Sequence, residues 1–191
     1  MTLWDHLKSV ARQMLRDPRG AARGLMQADV PRNVVLMAFF AIMAVSVVAT
    51  EPLLAAASQM LGGEPASPFA RAVGSVIGGL AVVWLIWKVG GAFGGTGGFD
   101  HILLAFVFLE TLFVIGLAGL IILTLIMPPL TGLAGIGFVV FWLWMFSNVV
   151  AEMHEYPSAW KAFGVVVMSW VAVNYASMMV VSLLSGGPAN V

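Results

Sequence analysis

Acidic and histidine side chains that could bind a metal ion lie in two short segments of the chain. Asp100 and His101 follow a glycine-rich stretch, and Glu152 and His154 lie two residues apart further along. Imidazole and carboxylate groups are ligands of divalent metals. Neither segment contains the HExxH pattern, which places two zinc-binding histidines on one helix face. We therefore expect these four side chains to cap loops and contact lipid headgroups, and we expect no metal or other cofactor.

The glycine-rich stretch itself, GGAFGGTGGFDH at 90–101, has six glycines in its first nine positions. A phosphate-binding loop of this kind would follow a strand and end in Gly-Lys-Ser/Thr, and no lysine follows here. The stretch instead predicts a tight turn, since glycine permits positive φ. If the preceding helix extends that far, Gly90 and Gly94 would also form a small-residue face for close packing. Asp100 is then the expected N-cap of the next helix.

Glu110 is the one acidic residue deep inside an apolar run of the sequence. It lies about nine residues into that run, which is ~13 Å along a helix and close to the middle of a bilayer. A central acid costs roughly 2.5–3.5 kcal/mol to insert and usually faces a partner or a polar cavity. Asn174 lies at a similar depth in a later run, and we expect the two to form a hydrogen bond. Two roles stay open: a polar tie between helices, or part of a proton or cation pathway.

The composition excludes several classes of chemistry. Charged residues make up 9% of the 191-residue chain and hydrophobic residues 61%, whereas soluble domains carry roughly 25% and 45–50%. The chain has no cysteine, so disulfides, thiolate metal sites and thiol catalysis are excluded. Hydrolysis inside a membrane would require paired acids, a zinc set or a nucleophile with its base. With a single deep carboxyl, we expect no enzyme.

Five apolar stretches are long enough to cross a ~30 Å hydrocarbon layer as helices. Backbone polar groups must be paired in lipid, so these stretches predict an all-α membrane protein, a five-transmembrane-helix bundle. The spans are expected near residues 33–54, 70–89, 102–127, 132–150 and 162–184.

The basic residues predict the orientation of the bundle. With the N-terminus in the cytoplasm, eight of the nine Lys and Arg residues lie on the cytoplasmic side and only Arg71 lies outside. This bias follows the positive-inside rule and places the C-terminus outside, in the inner membrane if the protein is bacterial. The eight are Lys8, Arg12, Arg16, Arg19, Arg23, Arg32, Lys88 and Lys161.

Residues 2–16 have apolar side chains at helical spacing and cations on the other face, the pattern of a helix lying in the membrane interface. A second short helix is expected to begin at Asp17 and Pro18, and Asp29 is the expected N-cap of the first span. The alternative is that the first helix packs on the bundle rather than on lipid. The cations expected to contact anionic lipid are Lys8, Arg12, Arg16, Arg19 and Arg23.

Three segments together resemble the Yip1-domain family. GGAFGGTGGFDHILLAFVFLE is similar to its glycine-rich connection and following helix, and RDPRGAARGLM is similar to the segment before the first span in bacterial members. AEMHEYPSAWKAF is similar to a His-x-x-Ser-x-x-Lys-Ala segment, matched at His154, Ser158 and 161–162. The resemblance implies five spans, and it supplies no catalytic residues.

The family resemblance limits what can be expected of partners. Eukaryotic members act in early secretory membrane traffic and associate with each other and with small GTPases. They carry a Tyr-Gly-Pro-type signature in a longer cytosolic arm, which this sequence lacks, so a GTPase partner does not carry over. Bacterial-type members have no agreed biochemical activity.

The sequence therefore predicts a cytoplasmic helical segment at 1–32 and a single membrane domain at 33–191. The expected function is that of a non-enzymatic scaffold or adaptor that self-associates and organises lipids or partner proteins. Anionic lipids and further copies or another membrane protein are the expected partners, and nucleic acid is not. The alternative is a small transporter, channel or proton- or ion-coupled component centred on Glu110.

Overall fold

The computed structural model describes residues 9, 12–28, 30–61 and 67–184, with side chains for all of these except 52–61 and 181–184. Lys8, Asp29 and most of the expected first helix lie outside the described residues. Within the described part the chain is helical and contains no strand. Its α-helices are α1 (Pro18–Met26), α2 (Arg32–Leu61), α3 (Pro68–Ala92), α4 (Phe99–Ile126), α5 (Thr131–Met153) and α6 (Ala159–Leu184).

Helices α2 to α6 are each long and apolar enough to cross a membrane. This confirms the all-α class and the five expected spans. A 3-10 turn, Pro128–Leu130, separates α4 from α5, because proline lacks the N–H that a continuing helix would need.

Local capping explains where two of the helices begin. Asp17 accepts a hydrogen bond from the Gly20 N–H at 2.9 Å, and Pro18 takes the first helical position of α1. This confirms the predicted start of the second short helix. Ser67 does the same for α3, accepting from the Ala70 N–H at 3.2 Å.

The expected N-cap role of Asp100 is wrong. Helix α4 begins at Phe99 with Gly98 as its N-cap, so Asp100 lies within the first turn. Phe99 packs edge-on against Trp87, with ring centroids 5.9 Å apart, and this contact accompanies the earlier start. Asp100 instead pairs with Arg32 at 3.3 Å, and its charge is favourable near the helix N-terminus.

The five long helices form a ring in which each packs against two neighbours, in the order α2, α3, α6, α5, α4 and back to α2. Helices α3 and α4 also touch across the ring, and α1 packs against α5 and α4. One end of the bundle carries α1, the 93–98 loop between α3 and α4, and the 154–158 loop between α5 and α6; we call this end the loop face.

Almost all of the buried core lies in the half of the bundle next to the loop face. In α5 the buried side chains all lie from Met145 onward, and in α6 none beyond Ser169 is buried among the described side chains. In α4, Leu117 is the one buried residue after Leu109. The opposite half, which we call the far half, leaves large apolar side chains uncovered by the chain's own described residues.

Candidate functional site at the loop face

Helix α5 ends in a Schellman motif that turns the chain sharply at the loop face. His154 is the C-cap, and Glu155 adopts the left-handed conformation with φ of 56°. The Tyr156 N–H donates to the Ala151 carbonyl at 2.7 Å, and the Glu155 N–H donates to the Glu152 carbonyl at 3.1 Å. These are the two hydrogen bonds that define this helix ending.

Helix α3 ends in the same way on the neighbouring side of the loop face. Gly94 has φ of +81°, the Gly95 N–H donates to the Gly90 carbonyl at 3.0 Å, and the Gly94 N–H donates to the Gly91 carbonyl at 2.9 Å. The predicted tight turn is therefore confirmed, with glycine at the position that needs positive φ. Gly90 and Gly91 lie within the helix, but Gly94 lies beyond its end and does not extend a helical face.

The imidazole of His154 lies between these two helix ends and is almost fully buried. Its Nε2 lies 3.1 Å from the Ile86 carbonyl of α3, and the Gly97 N–H donates to its Nδ1 at 3.3 Å. Because Nδ1 accepts, the hydrogen-bond pattern assigns the ring proton to Nε2, which donates to Ile86. The Thr96 N–H donates to the His154 carbonyl at 3.3 Å.

Glycines let the backbone approach the His154 ring on several sides. A Cβ added at Gly90 or at Gly95 would overlap the ring, and one added at Gly97 would lie 2.7 Å from the Met153 carbonyl. At Gly91, by contrast, a Cβ would meet no atom within 4 Å. We call His154 together with Ile86, Gly90, Gly95 and Gly97 the His154 clasp.

Tyr156 closes the other side of the clasp. Its ring stacks on His154 with centroids 5.3 Å apart and planes at 20°, and its hydroxyl donates to the Gly90 carbonyl. The Lys161 ammonium lies 4.5 Å from the Tyr156 ring centroid, a cation–π contact. Burial lowers the pKa of His154, opposed in part by the Ile86 carbonyl, and burial raises the pKa of Tyr156.

The N-terminal segment docks on this assembly. Met14, Ala21 and Ala22 are buried against the bundle. Arg23 forms an ion pair with Glu152 at 2.7 Å. Arg19 donates to the Asn148 side chain at 3.4 Å and to the Tyr156 carbonyl at 3.5 Å. The loop face thus joins α1, both loops and the ends of four spans in one set of contacts.

The Yip1 domain matches residues 12–181, most of the chain. The chain belongs to the Yip1 domain family. No curated protein and no solved structure matches it. The family and the five apolar helices make it an integral multi-pass membrane protein.

The segments that resemble the Yip1 family meet at the loop face, although the glycine-rich one continues along α4 as far as Glu110. Asp17 and Pro18 start α1. His154 forms the clasp, Ser158 accepts from the Trp160 N–H at 3.2 Å at the start of α6, and Lys161 covers Tyr156. Ala162 is fully buried.

The two polar residues within the spans of this Yip1-domain protein do not meet. Ser46 of α2 donates a hydrogen bond to the Glu110 carboxyl at 2.6 Å. Asn174 is exposed on α6 and donates to the Trp170 carbonyl of its own helix at 2.9 Å. The expectation of a Glu110–Asn174 hydrogen bond is therefore wrong. Glu110 lies where α4 packs on α2, whereas Asn174 faces away from the bundle.

The predicted lipid-contacting cations fall into two groups. Arg12 and Arg16 are exposed. Arg19 and Arg23 have protein partners because α1 packs on α5 through its alanines, and the Arg23 side chain stays 60% exposed; lipid contact by these cations stays a prediction. Lys8 lies outside the described residues.

The candidate metal ligands do not form one cluster. Asp100 pairs with Arg32, Glu152 pairs with Arg23, and His101 is exposed. Within the described residues no three His, Asp or Glu side chains lie close enough to hold a metal ion.

Sequence reasoning missed the partners that make the site. The sequence draws attention to His154 and to the glycines at 90–98 separately, but it does not show that they are in contact, since more than fifty positions separate them. Tyr156 and Ser46 were not singled out at all. The aromatic ring beside His154 at i+2, with a lysine following, is the one local signal that could have pointed to Tyr156.

Proposed function

We propose that this Yip1-domain protein is a non-enzymatic scaffold or adaptor that associates with further copies of itself and organises lipids or partner proteins. The observation that carries the proposal is the concentration of the core in the loop-face half. The far half leaves long helix faces for other molecules, and in a bilayer those faces meet lipid or another protein.

Helix α6 is the preferred face for association between copies. Asn174 lies on its exposed side, with Val171 and Met178 one turn away on either side. A side-chain amide that faces hydrocarbon is unfavourable, and Asn commonly hydrogen-bonds across helix interfaces in membranes. The amide both donates and accepts, so two copies of Asn174 can satisfy each other.

The loop face is the side proposed to lie in the cytoplasm and to meet anionic lipid. Arg12 and Arg16 project from the docked N-terminal segment, and a cation near an anionic surface is worth about 1 kcal/mol. The hydrogen bonds of Arg19 and the ion pair of Arg23 hold the segment in place, which leaves Arg12 and Arg16 to act on lipids or partners.

Crosslinking pull-down of the tagged protein from its native membrane, followed by protein and lipid mass spectrometry, tests this proposal. We expect the double variant Arg12→Gln/Arg16→Gln to lose several-fold of the crosslinked anionic lipid or partner. Lys88→Gln, which removes an exposed cation elsewhere on the same face, is the control and should not. Equal recovery from all three proteins would contradict the role given to the N-terminal cations.

A second candidate is a proton- or ion-coupled component centred on Glu110. The observation in its favour is a half-buried carboxyl inside a span, a position that is functional in many membrane proteins. Ser46 favours the simpler role, because it ties α2 to α4 through that carboxyl. Glu110→Gln retains an acceptor for Ser46 and removes the ionisable group. Proton or cation flux into proteoliposomes that the variant abolishes would favour the second candidate.

A further inference from the structure

The His154 clasp has a hydrogen-bonding pattern that only a neutral imidazole can satisfy. Nδ1 accepts from the Gly97 N–H, while Nε2 donates to the Ile86 carbonyl. Protonation places an N–H on Nδ1, so that two donors face each other across 3.3 Å. Gly90, Gly95 and Gly97 bring the backbone against the ring, and an imidazolium has no acceptor for the Gly97 N–H in either orientation of the ring, so protonation opposes the closed clasp.

Charged and titratable groups around the clasp do not offset this incompatibility. Glu152 is engaged by Arg23, and Asp100 is engaged by Arg32. The cations Lys161 and Arg19 both contact Tyr156, the residue stacked on the imidazole, and neither favours an imidazolium. The remaining groups at the loop face are Lys88 from α3, His101 from α4, and Glu155 and Tyr156 from the His154 loop.

We propose that the His154 clasp is a proton-operated latch, closed when the imidazole is neutral and opened when it is protonated. Opening separates the 93–98 loop from the end of α5. Because Tyr156 contacts both the Gly90 carbonyl and Arg19, opening also loosens the docked N-terminal segment. The latch therefore couples local pH to the surface that the loop face presents.

The direction of the pH dependence follows from burial. Burial lowers the pKa of His154 below its ordinary value of 6.5 in the closed clasp. In the open form the ring is exposed and keeps that ordinary value. The clasp is therefore at full stability above about pH 6.5 and loses stability as the pH falls below it. Opening should increase by up to about tenfold per pH unit in that range.

Hydrogen–deuterium exchange of the full-length protein in lipid nanodiscs tests the latch. The amides of Gly95, Thr96 and Gly97 are all bonded in the closed state. Their exchange, corrected for the intrinsic effect of pH, should rise several-fold, to at most about thirtyfold, from about pH 7.5 to about pH 5. The chain has three histidines. The double variant His6→Gln/His101→Gln retains His154 as its only histidine, and its amide exchange should keep the full response to pH. His154→Gln should lose it.

A second measurement keeps the proposal testable if His154→Gln does not fold. Nitrogen-15 NMR of the imidazole in the His6→Gln/His101→Gln protein should report the Nε2–H tautomer at neutral pH. The imidazole should titrate below its ordinary pKa of 6.5, and the rise in amide exchange should level off at the pH where the imidazole titrates. The proposal is overturned if exchange of the 93–98 loop is independent of pH, or if His154 in the intact protein titrates at or above its ordinary pKa of 6.5.

Discussion

The His154 ring and the glycines around it fit only because each leaves room for the other. The sequence predicts a turn at 90–98 from glycine content alone. It does not predict what the glycines face, because His154 lies in a different loop and no local pattern links the two. Close backbone approach, rather than flexibility, is what requires glycine at Gly90 and Gly95.

Alanine substitutions should distinguish the glycines that contact His154 from a neighbouring glycine that does not. Gly90→Ala and Gly95→Ala should each destabilise the protein by about 1–3 kcal/mol, because the added Cβ overlaps the His154 ring. Gly91→Ala is the matched control: its Cβ meets nothing, and replacing a helical glycine should leave stability unchanged or raise it by up to about 1 kcal/mol. Thermal unfolding in detergent measures the stability of all three variants. Equal effects would contradict the close packing of Gly90 and Gly95 on His154 in the clasp.

Glu155 occupies the left-handed position of a Schellman motif that usually holds glycine. Its φ of 56° is unfavourable for a residue with a Cβ. Glu155→Gly should therefore raise the unfolding free energy by about 1 kcal/mol. Glu155→Ala removes the carboxylate but keeps the Cβ, and it should give no such gain. If both variants stabilise equally, the charge and not the backbone is the cause.

The Ser46–Glu110 hydrogen bond should couple α2 to α4 inside the membrane. A double-mutant cycle with Ser46→Ala and Glu110→Leu should give a coupling energy of about 0.5–2 kcal/mol. Glu110→Gln should retain most of the coupling to Ser46, since its side-chain oxygen still accepts. A coupling near zero would mean that the bond does not form in the bilayer.

At the scale of elements, the N-terminal segment shows why an amphipathic pattern has two solutions. The same apolar stripe can face lipid or protein, and both alternatives fit the sequence. The structure packs Met14 and α1 on the bundle through contacts with α5 that come from a distant part of the chain. The end of α3 differs from the sequence-based limit of residue 89 for a similar reason. The helix continues to Ala92 because its last turn packs on the His154 loop.

Docking of the N-terminal segment should depend on Met14 and not on its neighbour. Met14 is fully buried and Leu15 is half exposed. Met14→Ala should cost about 2–5 kcal/mol of packing and raise the undocked population by more than tenfold. Leu15→Ala should have little effect. Trypsin cleavage after Arg16 and Arg19 reports undocking, and similar cleavage of both variants would contradict the docked arrangement.

At the scale of the whole molecule, the number of spans and the all-α class follow from length and hydropathy, because the bilayer fixes both. The order of helices around the ring and the uneven packing do not follow, since a lipid-facing and a protein-facing apolar residue look alike in sequence. Asn174 illustrates the limit: its depth suggested a partner in α4, but it lies on the uncovered side of α6.

Disulfide crosslinking in native membranes tests most directly whether the uncovered side of α6 meets another copy. The chain has no cysteine, so single cysteines can be placed at Val171 or Met178 on α6 and, as controls, at Ile115 or Ile122 on α4, all exposed. The scaffold account predicts crosslinked dimers from the α6 positions, weakened by Asn174→Leu, and little from α4. Crosslinking that is absent at α6, or equal at all four positions, would contradict it.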